Sequence, residues 1–98
     1  VAEELNVLAH FVARDGRDAE LRSLLESLIG PTRQEPGCMM YTLWAHDERP
    51  GAYTLVERWK SEEDLSSHLD MPYLQDAIAR FEDLLSEPLR LEKYRTIS

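Results

Sequence analysis

Apolar positions change their period several times along this chain, and each change predicts an element. Leu5 to Arg14 reads LNVLAHFVAR, apolar on both alternating faces apart from Asn6 and His10, which predicts a strand covered on two sides. Gly16 breaks it. From Asp18, a candidate helix cap, Leu21, Leu24, Leu25, Leu28 and Ile29 recur on one stripe; Gly30-Pro31 either ends or kinks that helix, whose last turn runs on to Gln34. Glu35-Pro36-Gly37 is a turn signal, and Cys38 to His46 alternates as a second strand. Asp47 to Gly51 then forms a hairpin loop into a third strand, Tyr53 to Lys60, rich in aromatic and branched residues.

Ser61, with Asp64 three positions on, is a cap pair that turns strand into helix. On that helix Leu65, His68 and Leu69 share an inward side. Met71-Pro72 restarts a helix that carries Leu74, Ile78, Phe81, Leu84 and Leu85 toward the core; Pro88 ends it, and Leu89 to Ile97 is the fourth strand. Strand, helix, strand, strand, helix, strand is the split βαβ order of an α+β, ferredoxin-like domain, a four-stranded antiparallel sheet with helices on one face. One domain is expected over residues 1–98. Two helical segments cover only one face, so either the Leu5, Val7, Ala9, Phe11 set or the Leu8, Val12 set needs another cover. A second copy of the chain is the commonest one, which predicts a homodimer joined sheet to sheet.

A formal charge of -8 disfavours nucleic acid and anionic membrane as partners, because both demand a basic footprint. A neutral or weakly charged small molecule suits the chain better. The single cysteine, Cys38, excludes an internal disulfide and fits a reducing cytoplasm, and no run approaches the roughly 18 apolar residues of a membrane span. His10, His46 and His68 fall on separate elements without the spacing of a helical zinc site, and there is no glycine-rich phosphate loop. No metal, nucleotide or flavin is expected.

Candidate chemistry gathers around Glu57-Arg58-Trp59-Lys60-Ser61 and His68. Imidazole titrates near neutral pH, so His68 is either a base for an acidic substrate hydroxyl or a histidine satisfied by a neighbour on its helix's inner face. Glu57 shares a strand face with Trp59 and Tyr53 and could hold the His68 tautomer, or could form a plain ion pair with an Arg or Lys. Tyr53, Glu57 and Trp59 are the candidate substrate-binding residues, the indole offering area and one donor. Asn6 could orient substrate or dioxygen through its amide. Met39, Met40, Tyr41 and Trp44 supply apolar surface for core or interface.

Arg33-Gln34-Glu35-Pro36-Gly37-Cys38 leading to Tyr41, then Glu57, Trp59, Ser61, Leu65, His68, Pro72-Tyr73, Leu84, Leu85 and Pro88 resemble the antibiotic biosynthesis monooxygenase family of dimeric α+β barrels. The likeness covers nearly the whole chain, and the small bacterial quinol monooxygenases belong there. It implies a cofactor-independent monooxygenase that oxidises an electron-rich phenol or hydroquinone to a quinone, with His68 and Asn6 catalytic. A haem-degrading sister group uses a first-strand asparagine, a tryptophan and a later histidine. Asn6 matches the first, but His68 stands in the tryptophan's place and Ala77 near the histidine's, so no haem is expected. The alternatives are an isomerase of a small phosphorylated ketone and a non-catalytic dimer that binds a small ligand.

Overall fold

The computed structural model describes residues 3–98. Its elements are β1 (Leu5–Val12), α1 (Asp18–Ser27), α2 (Ile29–Arg33), β2 (Cys38–Ala45), β3 (Ala52–Trp59), α3 (Glu62–Leu69), α4 (Pro72–Leu84) and β4 (Arg90–Tyr94). The sheet runs β2-β3-β1-β4 with every neighbouring pair antiparallel, the ferredoxin-like arrangement that the element order predicts. β4 is shorter than the apolar run that suggests it.

Local chemistry explains most boundaries. Gly30-Pro31 kinks rather than ends the first helical segment: α1 stops at Ser27, Leu28 keeps helical angles, and α2 resumes with Pro31 inside it. Ser61 caps α3, its Oγ accepting the Asp64 backbone N–H at 3.2 Å and donating to the Asp64 carboxylate at 2.9 Å. Asp18 does not cap α1. Arg17 takes that position, and the Asp18 carboxylate instead accepts the Tyr53 hydroxyl. Pro72 opens α4, where its missing N–H costs no helical bond.

Alternation in β1 decides which face is which. Leu5, Val7, Ala9 and Phe11 are buried against the helices with Leu21, Leu25, Leu65, Leu74, Phe81 and Leu84. Asn6, Leu8, His10 and Val12 point the other way and are half-buried. Cross-strand partners share a face, so Met40, Trp44, Thr54, Val56, Arg58 and Tyr94 join them there. Trp44 is 59% exposed and Met40 41%. On this outer face His10 reaches Thr54 Oγ1 at 3.0 Å through Nδ1 and Glu92 Oε1 at 2.9 Å through Nε2. On the same face, opposite Asn6, Arg58 Nε is buried without a hydrogen-bond partner among the described residues, 4.0 Å from Glu4 Oε2. Ile78, expected in the core, is 38% exposed at the rim of a groove.

Candidate active site

His68 is 2% exposed on the inner side of α3, where Leu65 and Leu69 also face the core. Its partner comes from a distant turn. Lys60 N donates to Gly37 O at 3.0 Å, Cys38 N donates to Glu35 O at 3.0 Å, and Gly37 lies so near Asp64 that any Cβ there would collide with it. This close approach, which only glycine permits, presses the turn onto the first turn of α3. Glu35 Oε2 thereby comes to 2.8 Å from His68 Nδ1 and also accepts the Tyr73 hydroxyl. Tyr73 oxygen in turn lies 3.0 Å from Thr32 Oγ1, and with its own proton committed to Glu35 it accepts from the threonine.

A carboxylate can only accept, so Nδ1 of His68 carries the proton and donates it. The neutral ring then presents the lone pair of Nε2, which has no hydrogen-bond partner among the described residues, and His68 lines an inner cavity between sheet and helices. The carboxylate therefore holds the imidazole in the tautomer a base requires.

Trp59 packs on the other side of the ring, centroids 4.6 Å apart, while Tyr41 meets it edge-on at 5.7 Å. Indole Nε1 donates to Glu57 Oε1 at 2.9 Å. Glu57 is 5% exposed and has no cation within ion-pair distance among the described residues. Burial, reinforced by the charge of Glu35 and opposed by the Trp59 hydrogen bond, pushes its carboxyl up to about 7. Burial first, then the bond to Glu35, also raises the Tyr73 hydroxyl to about 12. Burial raises Tyr41 and Cys38 as well.

The cavity measures about 40 Å³ and is walled by His68, Glu57, Tyr41, Leu65, Phe81 and Leu91 among others. An apolar void of about 150 Å³ can hold a benzene ring, and this space is several times smaller. A surface groove of about 430 Å³ adjoins it and shares Ile78, Phe81 and Leu89 as a common wall, with Arg14, Glu82 and Glu87 among its other lining residues. That size lies in the range of small-molecule sites.

Three of the five expected site residues meet, and two do not. His68 and Glu57 line one cavity, and Trp59, fully buried, contacts both without lining it. Glu57 does not pair with His68, because Glu35 occupies Nδ1 and Glu57 takes the indole. Asn6 lies on the opposite face of the sheet, where its amide donates to Tyr94 O at 3.3 Å and Thr96 Oγ1 at 3.1 Å. Tyr53 faces inward but at the far end of β3, bound to Asp18. Odd and even positions of a strand separate by face, so Asn6 cannot join residues that lie across from Leu5 and Val7.

Reading Glu35-Pro36-Gly37 only for its turn backbone overlooks Glu35, and Thr32 and Tyr73 follow from it. A signal was available: a turn that feeds Cys38 opposite Trp59 brings its carboxylate to the strand end from which α3 departs. Among the described residues no group of three or more His, Cys, Asp or Glu side chains is arranged to hold a metal ion, and no helix is long and apolar enough to cross a membrane.

Residues 5–80 match the model of the antibiotic biosynthesis monooxygenase family. A Mycobacterium tuberculosis protein, Rv0793, provisionally named a monooxygenase, is 35% identical over 83 residues, covering 85% of this chain and 81% of its own. The solved structure of Rv0793 superposes with a TM-score of 0.93 at 30% identity, over 98% of this chain and 97% of that one. An uncharacterized Synechocystis protein, sll1783, is 25% identical over 89 residues, 91% of this chain, which spans only 60% of that longer relative. With the family model matched over most of its length and the same sheet order on a shared frame, the chain belongs to the antibiotic biosynthesis monooxygenase family.

Proposed function

We propose that this chain is a cofactor-independent monooxygenase that converts an electron-rich phenol or hydroquinone to a quinone, working as a homodimer. The observation that carries the reading is the Glu35–His68 pair, its histidine buried and its Nε2 without a hydrogen-bond partner among the described residues, beside a small inner cavity. Nε2 takes the substrate hydroxyl proton, and Glu35 stabilises the imidazolium that forms. The electron-rich anion passes an electron to dioxygen, and the two radicals combine at a ring carbon to give a peroxide. Loss of water leaves the second carbonyl. A phenol plus dioxygen thus gives a quinone plus water, and a hydroquinone gives a hydroxyquinone plus water.

The substrate ring enters from the groove past Ile78, Phe81 and Leu89, while the inner cavity has the size for dioxygen. Tyr41, Leu65 and Phe81 supply apolar wall, and Trp59 backs the His68 ring from outside the cavity. Among the described residues no Arg or Lys lines that cavity, and the groove sets Arg14 among Glu82 and Glu87, which disfavours a phosphorylated ketone as substrate. The outer sheet face, with Leu8, Val12, Val56, Met40 and Trp44, supports the homodimer. A cytoplasmic setting, expected from the single cysteine, belongs to the same proposal.

The test is aerobic and anaerobic incubation of purified protein with a panel of hydroquinones and anthrones, following oxygen uptake and quinone absorbance. Oxygen-dependent quinone formation that falls roughly a hundredfold in His68→Ala is the expected result. The small inner cavity favours one other reading, a dimer that binds a small ligand without turning it over. Saturable ligand binding with no oxygen uptake across the panel would establish that instead.

A further inference from the structure

Glu57 is a buried acid without a cation beside it, and its recorded partner is the Trp59 indole. Carboxylates held inside a protein for stability are paired with a cation or hydrogen-bonded on both oxygens. Here Oε1 accepts a single indole N–H, and no Arg or Lys approaches within ion-pair distance among the described residues. Glu57 lines the same small cavity as His68, and Trp59 touches both, bonding to one and packing on the other. The titratable groups around it are Glu35 on the turn, His68 on α3, and Tyr41 and Cys38 on β2.

We propose that Glu57 is the second proton-transfer group of the site, giving a proton to the peroxide formed on the substrate and then removing the ring hydrogen. The inference rests on the monooxygenase reading. In the first step His68 Nε2 takes the hydroxyl proton and becomes imidazolium. The substrate anion then gives one electron to dioxygen, and the phenoxyl and superoxide radicals join in a carbon–oxygen bond, leaving the charge on the outer peroxide oxygen. Glu57 protonates that oxygen and becomes a carboxylate. It next takes the hydrogen from the carbon bearing the hydroperoxide; the electron pair of that bond makes the carbonyl as the O–O bond breaks. The departing hydroxide collects the proton held by His68 and leaves as water. Both residues return to their starting forms.

Glu57 lines the same cavity as His68 and so offers the peroxide a second proton source while His68 holds the hydroxyl proton. Burial, with the charge of Glu35, raises the Glu57 carboxyl to about 7, so it can give and take a proton near neutral pH.

The test compares wild type, Glu57→Gln, Glu57→Asp and His68→Ala with whichever phenol supports oxygen uptake. Glutamine keeps the acceptor for Trp59 and cannot transfer a proton. Expected for Glu57→Gln are full anaerobic formation of the substrate anion, seen by its absorbance, and quinone formation lowered by roughly a hundredfold, with oxygen uptake diverted to free peroxide. Glu57→Asp should recover part of the coupling, and His68→Ala should lose the anaerobic anion. Glu57→Gln that couples oxygen to quinone like wild type overturns the proposal and leaves the monooxygenase reading standing. Loss of the anaerobic anion in Glu57→Gln also overturns it, since Glu57 would then act only by positioning His68. A wild type that takes up no oxygen fails the monooxygenase reading itself, and the proposal falls with it. Infrared difference spectra of the wild type give a readout without turnover: a protonated carboxyl band at about pH 6, absent in Glu57→Gln, is expected, and its absence from wild type overturns the assignment.

Discussion

Glu35 and His68 lie 33 residues apart in the chain, yet Oε2 of the glutamate stands 2.8 Å from Nδ1 of the histidine. That oxygen also accepts the Tyr73 hydroxyl, so one carboxylate ties a turn to α3 and α4. Glu35→Ala leaves a buried donor, His68 Nδ1, and a half-buried one, the Tyr73 hydroxyl, without their acceptor. It should destabilise the fold by about 1–3 kcal/mol in urea unfolding, and nitrogen NMR of the imidazole should show the Nδ1–H tautomer losing population. An unchanged midpoint and tautomer would mean the pair contributes nothing.

Glu57 makes stability depend on pH with a definite sign. Its folded carboxyl sits at about 7 against an ordinary 4.5, chiefly through burial. Between those values the folded chain holds a proton that the unfolded chain has released, so stability is full below the lower value and falls as pH rises through the higher one. The loss attributable to this group is about 3 kcal/mol. Glu57→Gln should remove that slope, gaining on wild type as pH rises. Parallel stability curves for the two proteins would contradict the assignment.

Neighbouring residues on β1 should respond to the same substitution in opposite ways. Phe11 is buried, with its ring 5.1 Å from that of Phe81, so Phe11→Asp should abolish folding. Val12 faces outward. Val12→Asp should keep native circular dichroism while shifting the dimer proposed above to monomer in light scattering. A wild-type monomer at micromolar concentration would remove the case for the interface.

Gly37→Ala tests the turn. Its new methyl meets Asp64 Cβ and Cγ, so the turn must retreat from α3. A loss of about 1–3 kcal/mol is expected, with the Glu35–His68 contact weakened in the tautomer measurement. Equal stability would show that α3 yields instead.

Much of this fold was legible because its signals are local. Period two in LNVLAHFV, period 3.6 through Leu21, Leu24, Leu25 and Leu28, the Ser61 cap and Pro72 each act within one or two turns of chain. The site is different, since it depends on which side of a strand a residue takes and which distant segment arrives beside it. Asn6 and Leu5 are equally plausible on composition; only the burial of Leu5, Val7, Ala9 and Phe11 decides that Asn6 turns away. Alternation puts Glu57 on the inner face with Trp59, but His68 pairs with Glu35, which no periodicity connects to it. Tyr53 shares the right face but sits six residues from Trp59 along an extended strand, roughly 20 Å away.

β4 is a five-residue edge strand paired only with β1, and it meets Asn6 from 88 positions away in sequence. Leu89, just ahead of it, and Leu91, within it, form part of the inner cavity's wall. Peeling back an edge strand held by one short ladder is among the cheaper local openings a sheet can make. Glu35, Tyr41 and Trp59 belong to the other end of the sheet, where β2 and β3 pair over their full lengths. The cavity thus has part of its wall on the sheet's weakly held edge, and a local opening there would leave the Glu35–His68 contact in place.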